Sequence, residues 1–157
     1  MNKIIICIFT ALLFSATLQA QVNIIPEPNE VISTKKGTFS LNEKNLLVYQ
    51  QSNLTNSARF LNSYLEQFYG FKLKEEQHKS GKPVVLTLTS TADKATGAYE
   101  LEVRADGIFV SAASEEGIFY GVQSLIQLLG TTMNGKTSTF LMFILKTNHV
   151  LLTAAQL

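Results

Sequence analysis

Apolar residues recur every third or fourth position in two stretches of this chain, and every second position in the segments between them. That change of period fixes the order of helices and strands. Over residues 54–69, Leu54, Ala58, Leu61, Leu65 and Phe68 stack on one helical face, with Asn53 placed to cap the start and Gly70 to supply a left-handed stop. A second helix starts at Ser114 as N-cap and carries Glu115 and Glu116 in its first turn, where carboxylates suit the positive end of the helix dipole. Its inner face holds Ile118, Val122, Leu125 and Leu129, and Gly130 ends it. Between the helices, Val84, Leu86 and Leu88 alternate with Thr87 and Thr89. Tyr99, Leu101 and Val103 alternate with Glu100, Glu102 and Arg104, and the pattern resumes at Ile108, Val110 and Ala112, which predicts a hairpin whose turn is marked by Asp106-Gly107. Residues 23–25, 38–41 and 46–50 are shorter strand candidates. The expected class is α+β, a mainly antiparallel or mixed sheet with two amphipathic helices packed on one face.

The N-terminus reads as an export signal. Lys3 provides the positive end, residues 4–14 an apolar run, and Ala20-Gln21 the cleavage junction. The run is shorter than the roughly 20 apolar residues that span a bilayer, so no membrane association is expected once residues 1–20 are removed. Cys7, the only cysteine, lies inside that run, so the mature chain is expected to rely on an apolar core with neither disulfides nor thiolate chemistry. The destination is periplasmic or extracellular. A net charge of +1 with dispersed lysines offers no concentrated basic patch for nucleic acid.

No residues assemble a recognisable catalytic or metal-binding pattern. His78 falls in a polar loop over residues 75–80 and His149 near the C-terminus, without metal-ligand spacing, so no metal and no cofactor is expected. Glu115 and Glu116 are explained by the helix dipole, and Glu75-Glu76 by a charged loop. Gly117 and Gly121 lie four apart on one face of the second helix, at a propensity cost of about 1 kcal/mol each against alanine. Such a face accommodates a close backbone approach. Either it joins Tyr120 and Gln123 in docking on a neighbouring domain, or the glycines seat the helix on its own sheet.

Three stretches together resemble the N-terminal domain of β-N-acetylhexosaminidases of glycoside hydrolase family 20: Ile24-Ile25-Pro26-Glu27-Pro28, Gly97-Ala98-Tyr99-Glu100-Leu101-Glu102-Val103, and residues 107–129, GIFVSAASEEGIFYGVQSLIQLL. The resemblance implies a domain that precedes a (β/α)8 barrel, which removes terminal β-linked N-acetylglucosamine or N-acetylgalactosamine. In that barrel an adjacent Asp-Glu pair works with the substrate's own acetamide: Glu protonates the leaving oxygen, and Asp orients the acetamide oxygen that attacks. Nothing in this chain matches that pair, so the chain alone is expected to be inactive, without catalytic residues. By the same resemblance its partner is the barrel, docked through Gly117, Tyr120, Gly121 and Gln123. An amino-sugar glycan would be met only through that barrel. A stand-alone secreted carbohydrate-binding or interaction module is the alternative, with Tyr99, Phe109, Phe119 and Tyr120 as available rings.

After Gly130 the family resemblance stops. Back-translating from Gly130 and reading from the last base of its codon gives DDNEWKNIDIPDVYIKDKPRFAYRG, which resembles the family's junction into the barrel. The expected organisation is therefore a signal peptide over 1–20, the domain over 21–130, and a frameshifted tail over 131–157 that is poorly ordered or badly packed. The apolar run at 140–145 otherwise reads as a native edge strand.

Overall fold

The computed structural model describes residues 30–78, 80–90, 97–129 and 138–147. In chain order these form β1 (Glu30–Leu41), β2 (Leu46–Val48), a 3-10 turn (Ser52–Leu54), α1 (Thr55–Tyr69), β3 (Lys74–Glu76), β4 (Val84–Leu88), β5 (Tyr99–Arg104), β6 (Gly107–Ala112), α2 (Glu115–Leu129) and β7 (Ser138–Thr147). The seven strands make one sheet in the order β1-β7-β5-β6-β4-β2-β3. Strands β3, β2, β4 and β6 run parallel, and β6, β5, β7 and β1 pair antiparallel. The sheet is thus mixed and both helices cover one face, an α+β fold as expected. The candidate strand at residues 23–25 lies outside the described residues.

Leu54 of the 3-10 turn and Ala58, Leu61 and Leu65 of α1 are fully buried, whereas the fifth inward position is Tyr69 and Phe68 is only half-buried. Asn53 does not cap the helix. The 3-10 turn precedes it, Thr55 Oγ1 donates to Ser52 O at 2.7 Å, and the Asn53 amide instead donates to Glu115 Oε1 at 2.8 Å, linking the starts of the two helices. Gly70 ends α1 in the left-handed conformation, φ 72°.

The β5–β6 hairpin has the expected register, Tyr99 opposite Ala112 and Val103 opposite Ile108. Its turn residues are Ala105 and Asp106, with Gly107 already paired to Arg104. Gly107 is required by proximity, since a Cβ there would sit 2.6 Å from Pro83 O. Because β5 is antiparallel to both neighbours, β6 and β7 run the same way, and α2 is the crossover of a split β-α-β unit. The Ser114 hydroxyl accepts from Gly117 N at 3.1 Å, the N-cap read from sequence.

Two strands also departed from expectation. Glu75 and Glu76, expected to open a polar loop over residues 75–80, instead belong with Lys74 to edge strand β3, parallel to β2. The buried Asn62 side chain explains this: its amide donates to Leu73 O at 3.1 Å and its oxygen accepts from Leu73 N at 2.9 Å, imitating a neighbouring peptide group. The larger departure is β7. Residues 138–147 are neither badly packed nor an edge strand; they lie between β1 and β5 and pair with both. Alternation is the reason. Leu145 is fully buried and Phe143 packs on the core, while Lys146 points to the other face, its Nζ 3.2 Å from Glu100 Oε1.

Leu145→Ala is expected to cost about 2–4 kcal/mol, read as a lower urea midpoint at constant slope; an unchanged midpoint would mean that β7 is not seated as described. Asn62→Leu strands the Leu73 peptide groups and should cost about 1–3 kcal/mol in the same measurement.

Candidate functional site

Helix α2 divides its residues sharply between its two sides. Gly117 and Gly121 are buried against the helix's own sheet. A Cβ at Gly117 would collide with the carbonyl oxygen of Ala98 and lie 2.7 Å from Ala112 Cβ; at Gly121 it would collide with Val110 Cγ1 and lie 3.2 Å from the Tyr99 ring. The close approach is therefore intramolecular, and these two of the four residues singled out in the sequence face inward. The seat is completed by Tyr99, whose hydroxyl meets Ser124 Oγ at 2.5 Å in the core. Burial is the main influence that pushes the Tyr99 phenol up from its ordinary pKa.

Tyr120 and Gln123 lie on the other side of α2, half-buried. The Tyr120 hydroxyl donates to Glu116 Oε1 at 2.9 Å, one turn back, and that bond to a carboxylate raises the phenol's pKa. Beside them Phe119 meets Phe60 of α1 with ring centroids 5.2 Å apart. Phe60 is 41 % exposed, one of two large apolar side chains so exposed among the described residues. Tyr64 and Phe68 continue from Phe60 at intervals of four, their rings 4.6 Å apart. Phe60 and Phe119 thus join the two helices in an aromatic surface, flanked by Tyr64, Phe68 and Tyr120, which also pack against the core. The sequence carried the signal as a second stripe on α1, Phe60, Tyr64 and Phe68, beside the aliphatic one.

The acidic residues are engaged in structural roles. Glu115 holds Asn53, Glu116 holds Tyr120, and Glu76 lies 2.6 Å from Lys74 Nζ, whose bond and charge lower the Glu76 pKa. On the open sheet face Arg104 bridges Glu102 and Asp106 and lies 3.9 Å over the Phe109 ring. His78 is exposed and His149 lies outside the described residues. Among the described residues no three His, Asp or Glu side chains gather as metal ligands.

The family profile described as glycosyl hydrolase family 20, domain 2, matches residues 21–142. That match runs past Gly130 into β7. A beta-hexosaminidase of Vibrio vulnificus is 29 % identical over 107 residues, 68 % of this chain and 12 % of that protein. The GH20 exo-β-N-acetylglucosaminidase of Vibrio harveyi, solved in complex with N-acetylglucosamine, superposes with a TM-score of 0.65 at 27 % identity, covering 82 % of this chain and 19 % of that one. The GH20 β-N-acetylhexosaminidase of Streptomyces coelicolor A3(2) shares the fold, with a TM-score of 0.68 at 22 % identity over 79 % of this chain and 26 % of its own. The chain thus spans about an eighth of the curated relative and a fifth to a quarter of these solved structures. A seven-stranded mixed sheet, two helices on one face, and a profile match over most of its length place this chain in glycosyl hydrolase family 20, as domain 2.

Proposed function

We propose that this chain is the non-catalytic N-terminal domain of an exported β-N-acetylhexosaminidase, and that a (β/α)8 barrel outside this chain hydrolyses terminal β-linked N-acetylglucosamine or N-acetylgalactosamine. The carrying observation is the aromatic surface shared by α1 and α2: Phe60 and Phe119 pack on one another beside Tyr120 rather than on the sheet. Exposed apolar surface rimmed by polar groups marks a contact with another protein surface. Docking therefore runs through Tyr120 and Gln123 with Phe60, Tyr64 and Phe119, while Gly117 and Gly121 support it from beneath by fixing how far α2 stands off the sheet. The stand-alone carbohydrate module is the weaker reading. Tyr99 is buried and Phe109 is covered by Arg104, so two of the four rings it needs are committed elsewhere.

Export after removal of residues 1–20, to the periplasm or the medium, is the part of the proposal that rests on Lys3, the apolar run and Ala20. A frameshift after Gly130 rests on the out-of-frame string. That string sets V-Y-I-K against Phe143, Ile144, Leu145 and Lys146, so both readings keep apolar residues at the two inward positions and lysine at the outward one that meets Glu100.

The purified chain should release no p-nitrophenol from its N-acetyl-β-glucosaminide; turnover would contradict the non-catalytic role. Resequencing the locus should reveal a single-base shift between the codon for Gly130 and the barrel's reading frame, whereas an intact frame with no barrel downstream removes that part of the proposal. Docking is tested by Phe60→Ser. In this chain alone, losing the partly exposed ring and its contact with Phe119 should cost about 0.5–1.5 kcal/mol; in the frame-restored enzyme the cost should be at least about 1 kcal/mol greater, read as a lower urea midpoint.

A further inference from the structure

At the carboxyl ends of β2 and β3 lies a cleft of about 400 Å³ lined by Tyr49, Gln50, Ser52, Glu75, Glu76 and Gln77. A smaller one, about 120 Å³, adjoins it across β2 and is walled by Thr87 of β4. Strands β3, β2 and β4 are parallel, so all three end on this rim. From β2 the chain leaves through α1 to β3 on one side; from β4 it leaves toward β5 on the other. A sheet opens at such a divergence of connections; it falls between β2 and β4, at the smaller cleft, and the larger cleft adjoins it between the ends of β2 and β3. The volume falls within the range of about 300–1,000 Å³ typical of small-molecule sites.

We propose that this cleft binds a neutral saccharide. None of the described lining side chains is cationic, which disfavours phosphates and other anions. Of its two carboxylates, Glu76 is neutralised by Lys74. Glu75 is held in place: its Oε2 accepts from the Tyr49 hydroxyl at 2.6 Å, and its Oε1 lies 3.5 Å from the Nδ2 of the buried Asn62. A carboxylate fixed by two neutral donors keeps lone pairs for a ligand's hydroxyls. The amides of Gln50 and Gln77 and the Ser52 hydroxyl each offer a donor and an acceptor, the pattern that a polyol or an acetamido sugar complements. The bond to Glu75, followed by burial, raises the Tyr49 phenol above its ordinary range.

The site shares no residue with the aromatic surface, so its test is independent of the docking proposal. The 15N-labelled chain is titrated with N,N′-diacetylchitobiose, maltotriose, calcium chloride and inorganic phosphate. Either saccharide should shift the amides of residues 49–52 and 75–77, and Gln50→Ala, at an exposed position, should weaken that binding severalfold without moving the unfolding midpoint. Tyr49→Ala should weaken it at least about tenfold. A response to maltotriose alone would retain the saccharide site while separating it from amino sugars. No shift with either sugar up to about 50 mM, shifts unaltered in both variants, or a response confined to calcium or phosphate would overturn the proposal.

Discussion

The packing of α2 on the β5–β6 hairpin is the contact on which the remaining architecture depends. With hydrogen at Gly117 and Gly121 the helix backbone settles against Ala98, Val110, Ala112 and Tyr99. A helix standing further off would leave Ile118, Val122 and Leu125 short of the strands whose side chains they now fill between, and close packing of this kind tolerates little added volume. The same contact sets the helix's rotation. Once the glycine face is inward, Gln123 points away from the sheet, Tyr120 lies at the flank of the core, and Phe119 reaches Phe60.

Polar groups inside the core support this arrangement rather than oppose it. Tyr99 pairs with Ser124, Tyr69 donates to the last carbonyl of α2 at Leu129, and Asn62 satisfies both peptide groups of Leu73. The first two join elements distant in sequence and the third ties α1 to the chain entering β3, so the helices are positioned by direction as well as by apolar burial. Buried donors and acceptors left without such partners would each be costly.

Where a segment's burial is one-sided and its period sustained, the sequence showed it. Both helices and the β5–β6 hairpin were legible because their inward residues repeat over several turns or pairs. The cap at Asn53 was not, because the residue is drawn across to Glu115 by a contact that spans two helices. Strand β3 was hidden since its three residues are charged and its geometry comes from Asn62, an element away. The inward orientation of the two glycines was left open, because a helical face alone does not say which neighbour approaches it. The cleft at Tyr49 and Glu75 gave no local signal at all; it arises from the parallel order of strands that are separated by a helix.

Strand β7 asks little of the residues that fill it. Its slot between β1 and β5 requires backbone groups free to pair on both edges and apolar side chains at Phe143 and Leu145. Codons that begin with two thymidines, as both phenylalanine codons do, read as apolar residues when the frame moves back by one base, because any triplet ending in two thymidines encodes Phe, Leu, Ile or Val. A shift of the kind proposed would therefore carry hydrophobicity at such positions from one frame to the other without selection acting on the new protein. The strand next to the sheet's β1 edge is in this sense buffered by the genetic code itself, and a domain whose closing strand is specified this loosely would keep its fold through an error that would ruin a more exacting core.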